Sequence, residues 1–355
     1  MKPYNGTSPR ILLVKLSALG DVIHTLPTLE ALRATYSQAR ITWLVEEAAA
    51  PLLIGHPALD EVWVSRRQSW LKAGKNGLDW PTAARQLTQL IKRLRQTKFD
   101  LVIDVQGLLK SAVWVALARS PRKVGYDRTR EGSYLVLNER LAPFEREAHA
   151  VWRYLHLAEY LGAAPAPPRF RLPLTEGSGP WLAPLWEDRS RPLAVLHPGA
   201  RWPTKYWPEA RFAALADRLV RDWQVRVVFT GGIGDRPLIA RIKARMQTAA
   251  LDLSGHTSLL ELARLYQQAD LAVTTDTGPM HLAAALGTPV VALFGPTAPW
   301  RTGPFGDGHK VVRLGLACSP CFRRRCPNPE CMTGIEVEGV LRAVQQILAE
   351  IRGKI

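Results

Sequence analysis

The chain has 355 residues, too long for most single cores and enough for two domains. Hydrophobic residues make up 47%, an ordinary globular share, and the apolar runs are of strand length and interrupted by charge, so no stretch reads as a membrane-spanning helix. The net charge of +16 (47 basic, 31 acidic) suits nucleic acid, an anionic membrane surface or an anionic small substrate, and the lack of a basic tail or nucleic-acid module argues against the first.

The chain opens with "RILLVKLSALGDVIHTLPTLEALR" (10–33). Its continuous apolar run reads as a parallel strand covered on both faces, followed by a small-residue turn and a helix. Lys15 breaks the apolar run and no cleavage-like site follows, so no signal peptide is read and a cytoplasmic location is expected. The turn has one glycine, Gly20, where a dinucleotide site would have three, and an acid, Asp21, follows it. A carboxylate in a first helical turn complements the helix dipole, worth roughly 0.3–1 kcal/mol. That is the plainest reading of Asp21.

Strands and helices then alternate. "ITWLVEE" and "EVWVS" read as strands, with Arg66, Arg67 and Lys72 beyond the second. "TAARQLTQLIKRLRQTK" carries Ala84, Leu87, Leu90, Ile91 and Leu94 at helical spacing. "FDLVIDVQG" is a strand, "LLKSAVWVALARS" a helix, and "HAVWRYLHLAEYLGA" a closing helix. A proline-dense stretch, "APAPPRFRLPLTEGSGP" (164–180), fits a linker. The alternation restarts with "LAVLHPGA" and runs through "QVRVVFTGG", "DLAVTTDTG" and "PVVALFG" as strands, and ends in the helical "VEGVLRAVQQILAEIRGK". This pattern predicts an α/β protein of two Rossmann-like halves facing across a cleft. The first half spans 1–175 and the second 176–335. The helix of 336–355 is expected to pack back toward the first half. Ligands of such folds sit at the carboxyl ends of the strands.

Three strand-end loops of the second half carry chemistry. In "TTDTGPMHLAAALG", Asp276, Thr277 and Gly278 precede a helix with Pro279 in its first turn and Gly287 at its end. Free amides at a helix start suit a diphosphate, although Asp276 or Thr277 can equally be a simple cap. "HPGARWPTKYWPEARF" places Gly199 and Ala200 in a turn and Lys205 before the next helix, where it can neutralise phosphate or simply be solvated. "TGGIGDRP" offers glycines that let backbone approach a nucleotide.

"KLSALGDVIHTLP", "WLVEEAAAPL", "DLVIDVQGLLKSA", "HAVWRYLHLAEYLG", "KYWPEARF" and "TTDTGPMHLAAALGTPVVALFGPT" occur in this order over most of the chain. Together they resemble glycosyltransferase family 9 and its lipopolysaccharide core heptosyltransferases, heptosyltransferase I most of all. The resemblance implies a GT-B fold. It implies an ADP-heptose donor on the second half, a Kdo2-lipid A acceptor on the first, and inverting transfer without a metal or other cofactor. It also implies peripheral contact with the cytoplasmic face of the inner membrane. It assigns Asp21 as general base and Lys205 to the departing ADP. Thr277 and Gly278 would bind diphosphate, Asp276 the heptose hydroxyls, His281 would lie nearby, and Met280 would line the adenine pocket. Arg130 of "YDRTREGS", then Arg66 and Arg67, then Lys72 would meet the acceptor's carboxylate and phosphate groups, as guanidinium suits both. Two departures stand out. The "HPGARWPTK" loop is closer to heptosyltransferase II, and the ribose-binding glutamate lacks a clear match, with Asp235 as substitute.

Cys318, Cys321, Cys326 and Cys331 follow a C-x2-C-x4-C-x4-C spacing. Four thiolates can hold structural zinc or an iron–sulfur cluster, or stay reduced or form a disulfide. The metal-free reaction favours the last two. Arg323, Arg324 and Arg325 are expected to lower the thiol pKa values.

Overall fold

The computed structural model describes residues 8–76, 80–174, 179, 182–188 and 190–352. Residues 175–178 and 180 of the expected linker lie outside these. The chain divides into two compact units, Met1–Pro173 and Leu174–Ile355.

In the first unit the elements run β1 (Arg10–Val14), α1 (Leu19–Thr35), β2 (Arg40–Glu46), β3 (Glu61–Ser65), α2 (Arg67–Asn76), α3 (Trp80–Gln96), β4 (Leu101–Asp104), α4 (Leu109–Leu117), β5 (Lys123–Tyr126), β6 (Glu139–Leu141) and α5 (Ala150–Tyr160). The strands form one parallel sheet in the order β3-β2-β1-β4-β5-β6. β1 lies at its centre, and Ile11, Leu12, Leu13 and Val14 have no accessible surface, as the unbroken apolar run requires. The strand order reverses between β1 and β4, the crevice where this class of sheet binds ligands. α5 packs along α1, burying Val151, Tyr154, Leu155 and Ala158.

The second unit continues with α6 (Pro184–Glu187), β7 (Leu193–His197), α7 (Glu209–Trp223), β8 (Arg226–Phe229), α8 (Arg236–Lys243), β9 (Leu251–Asp252), α9 (Leu259–Gln268), β10 (Leu271–Thr275), α10 (Gly278–Ala285), β11 (Val290–Leu293), α11 (Pro299–Thr302), β12 (Lys310–Val312), α12 (Glu330–Thr333) and α13 (Val337–Arg352). Its parallel sheet has the order β12-β11-β10-β7-β8-β9, so the reversal falls between β7 and β10. Gly287 ends α10 at φ +77°, a left-handed position that only glycine takes without strain.

The buried face of α13 (Val340, Leu341, Val344, Ile347 and Leu348) belongs to the core of the second unit, with α7 and β11 beneath it. Trp207 anchors this corner: it is buried edge-on to Phe212 at 4.9 Å, and its indole N–H donates to Ile335 O at 2.9 Å. The short strands β5, β6, β9 and β12 are absent from the sequence reading, since two to four residues carry too little periodicity to register.

Candidate active site

In the first unit, Asp21 sits in the opening turn of α1 beyond the carboxyl end of β1. Its Oδ2 accepts the Ala18 amide at 3.1 Å, so it does complement the helix start. Its other oxygen does more. Oδ1 accepts the Tyr154 hydroxyl at 2.8 Å, and that hydroxyl in turn accepts from Lys15 Nζ at 2.9 Å. Lys15 Nζ also lies 3.4 Å from Val105 O and 4.0 Å from Asp21 Oδ1. Lys15 is buried, and burial pulls its pKa down to about 8 against the pull of Asp21 and Asp104. Asp104, at the end of β4, is pushed up to about 6 by burial despite accepting the amides of Gln106 and Gly107 and the Ser111 hydroxyl. The Gln106 side-chain carbonyl fixes the intervening turn by accepting the amides of Leu16 and Ser17, both at 3.0 Å.

The cations expected to bind an anionic acceptor differ in their settings. Arg67 opens α2, and its Nε is 3.1 Å from the buried Glu46 carboxylate. Lys110 joins the group, 3.5 Å from the same oxygen and donating to Ser17 Oγ. Lys110 was missed in the sequence, although it lies within the quoted "QGLLKS" segment. Arg66 and Lys72 are exposed. Arg130 is 85% exposed, with Glu131 at 3.3 Å as its ion-pair partner.

In the second unit, the loops after β7 and β10 meet because those strands are neighbours. Lys205 Nζ contacts Asp276 Oδ2 at 2.6 Å and donates to Asp276 O at 3.1 Å. Thr297 Oγ1 donates to the same Oδ2 at 2.6 Å. Thr275 Oγ1 donates to Gly199 O, and the Tyr206 hydroxyl to Ala200 O, both at 2.8 Å. The Asp276 carboxylate is thus occupied in holding Lys205. Thr277 takes the N-cap position of α10 with extended backbone but makes no side-chain capping bond. His281 is buried in the first turn. Met280, expected against adenine, is buried with no accessible surface.

Asp235 is held by its own loop. Its Oδ2 accepts the Gly232 amide at 2.8 Å. A Cβ on Gly199 would come within 2.8 Å of Asp235 Oδ1, and one on Gly231 within 2.7 Å of Asp235 Cβ. These two glycines make room for Asp235. The same carboxylate raises the pKa of His197, but burial dominates and takes it to about 4, leaving a neutral imidazole 3.1 Å from Thr230 Oγ1.

The four cysteines are free thiols, and all four line one small cavity of about 70 Å³ with Thr204 and Pro296. Among the described residues, no group of three or more His, Cys, Asp or Glu side chains is arranged to hold a metal ion. The effect expected of the three arginines does not appear at Cys331, where partial burial and then the neighbouring thiols push the pKa up. The cysteine loop is instead a buttress. Arg323 O accepts Thr204 Oγ1 at 2.8 Å, and Pro296 O accepts the amides of Cys321 and Phe322. Arg324 and Lys205 both lie over the Trp202 ring, at 5.0 and 4.6 Å from its centroid. Among the described residues no helix is long and apolar enough to cross a membrane.

Comparison with known proteins returns the same outline. The family "Glycosyltransferase family 9 (heptosyltransferase)" matches residues 87–332. The chain is 36% identical to lipopolysaccharide heptosyltransferase 1 of Pseudomonas aeruginosa, covering 89% of this chain and 87% of that protein. It is 31% identical to lipopolysaccharide heptosyltransferase 1 of Escherichia coli K12, covering 86% and 93%. Among solved structures it is similar to E. coli heptosyltransferase WaaC with ADP, at TM-score 0.76 and 26% identity, covering 95% of this chain and 99% of that one. A family 9 glycosyltransferase from Veillonella parvula has TM-score 0.77 at 25% identity, covering 96% and 97%. The paired parallel sheets are those of the GT-B fold.

Proposed function

This chain belongs to glycosyltransferase family 9 and is a heptosyltransferase of lipopolysaccharide core synthesis, and from that premise we propose that it attaches heptose to the Kdo of Kdo2-lipid A. The donor is ADP-L-glycero-β-D-manno-heptose, in line with the ADP and ADP-2-deoxy-2-fluoro heptose complexes of its E. coli relative. Preference for the Kdo acceptor follows from the higher identity to heptosyltransferase 1 proteins, 36% and 31%, than to heptosyltransferase 2 proteins, 28% and 29%.

The Kdo hydroxyl oxygen attacks the anomeric carbon on the face opposite the diphosphate. The new C–O bond forms as the carbon–diphosphate oxygen bond breaks, and the configuration inverts. Asp21 takes the hydroxyl proton and ADP leaves with the electron pair. A carboxylate is a weak base toward a resting alcohol, but the hydroxyl acidifies as it attacks, so transfer late in the step is favourable. Lys205, aimed by Asp276 and Thr297, meets the negative charge growing on the departing diphosphate, with the amides at the start of α10 and the Thr277 hydroxyl as further donors. In this reading Asp276 orients the lysine. Asp235 lies on the nucleotide side and His281 supports the turn. Arg67 and Lys110 at the Ser17 turn, with Arg66, Lys72 and Arg130 further out, attract the acceptor's carboxylates and phosphates at the cytoplasmic surface of the inner membrane. No metal or other cofactor takes part.

The observation that carries this reading is Asp21 itself: a carboxylate with partners on both oxygens that still keeps 36% of its side chain exposed beyond a central strand. The test is ADP release from ADP-heptose with and without Kdo2-lipid A, for the native chain and Asp21→Ala, with donor binding followed by calorimetry. Acceptor-dependent release that the variant loses while still binding donor is the expected result. Release only with an already heptosylated acceptor would move the chain to the second heptosyl transfer. No turnover on either acceptor would reopen the donor sugar.

A further inference from the structure

We propose that Lys15 and Tyr154 are positioning residues for Asp21: the Lys15 ammonium holds the Tyr154 hydroxyl so that its proton is committed to Asp21 Oδ1, and this fixes the carboxylate for proton abstraction. The inference rests on Asp21 as the base.

The side chains form a directed chain of donors, Lys15 Nζ to Tyr154 Oη to Asp21 Oδ1, at 2.9 and 2.8 Å. Lysine has no acceptor while charged, so the phenol oxygen must be the acceptor in the first link. The phenol proton is then free only for the second. A hydroxyl that accepts from a cation is a stronger donor in turn, so the links reinforce each other. The Ala18 amide on Oδ2 completes a two-point clamp on the carboxylate plane.

The fold does not need a cation at this position. Ile11, Leu12, Leu13, Val14 and Leu16 around it are apolar and buried, and an apolar side chain would continue them without the desolvation penalty that Lys15 bears. The backbone around Lys15 is also fixed without its ammonium group. The Lys15 amide donates to Leu44 O, Trp43 Nε1 donates to Lys15 O, and Gln106 holds the next two amides.

The arrangement has a built-in pH limit. The charged and titratable groups facing Lys15 are Asp21 of α1, Asp104 of β4, Lys110 of α4, and Arg153 and Tyr154 of α5. As pH rises through about 8, Lys15 loses its proton. A neutral amine can accept, so it competes with Asp21 for the Tyr154 proton and loosens the clamp. Turnover should therefore fall on the alkaline side.

The experiment is acceptor-dependent ADP release between about pH 6 and 9.5 for native chain, Tyr154→Phe, Lys15→Met and Asp21→Ala, with thermal melts to verify folding. Tyr154→Phe and Lys15→Met are expected to lower kcat about tenfold to a hundredfold, the scale of a misplaced catalytic group, with KM for ADP-heptose unchanged. Both should also lose the alkaline limb near pH 8, which a merely structural role would leave in place. Native kcat in folded Tyr154→Phe, or an alkaline limb that survives in it, overturns the proposal. If Lys15→Met does not fold, Tyr154→Phe decides alone. Loss of activity in Asp21→Ala beside native behaviour of the other two removes the positioning role and leaves the base. Activity retained in Asp21→Ala removes the base itself.

Discussion

Each unit carries a lysine–aspartate pair where its strand order reverses, and the two pairs are built in opposite ways. In the first, Lys15 and Asp21 come from the same β1–α1 connection, stand 4.0 Å apart and are joined through Tyr154. In the second, Lys205 and Asp276 come from different strand-end loops and touch directly at 2.6 Å. The buried partner also differs. Lys15 is 2% exposed and Asp21 36%, whereas Lys205 and Asp276 are 14% and 7% exposed. A group that takes a proton from a substrate must stay open to it, so the first pair hides the cation and offers the carboxylate. A cation meant for a leaving group can be aimed by a buried acid, so the second pair hides the carboxylate. On the roles proposed above, the same two residue types serve opposite chemistry according to which one is the more exposed.

The sharpest way to break this comparison is to remove each carboxylate. Asp21→Ala should lower kcat by roughly 10²- to 10⁴-fold, the range of a general base, with donor affinity near native. Asp276→Asn should instead damage the fold, because it strips a buried lysine of its counter-charge. A loss of about 3 kcal/mol in unfolding free energy by urea titration is expected. If Asp276→Asn folds as stably as the native chain and Asp21→Ala keeps its turnover, the roles are reversed. Thr297→Val tests the aim of Lys205 more gently. It removes one hydrogen bond to a charged oxygen, worth about 1.5–3 kcal/mol, and should weaken turnover more than donor binding.

The smallest effect is one of pH and belongs to the first unit. Burial raises Asp104 from 3.8 to about 6, so the folded chain holds a proton there that the unfolded chain sheds. Its contribution to stability is full below about pH 4 and is lost as pH rises through about 6. Asp104→Asn should therefore flatten the stability–pH curve in that window, read from urea midpoints at successive pH values. An unchanged slope would mean that Asp104 ionises freely in the fold.

Much of this architecture is written in consecutive residues. A strand buried on both faces is apolar over most of its length, so β1, β7, β10 and β11 are legible as runs, and Pro279 and Gly287 mark the ends of α10. Asp21, Lys205, Asp276 and Thr277 are legible because they fall in the turns where such strands end. Lys15 is visible only as an interruption of an apolar run, a signal that fits many causes.

The longer buried strands, the loops at their ends and the residue types placed in them are legible in the sequence alone, because burial and turn chemistry are local demands. Which of those residues meet is set by packing between distant elements. Lys15 reaches a tyrosine 139 positions away because α5 packs along α1, and Lys205 reaches Asp276 across 71 positions because β7 and β10 are neighbours. The fate of the last helix was decided in the same way. Its apolar face specifies only that it be buried, and the surface formed by α7 and β11 determines where.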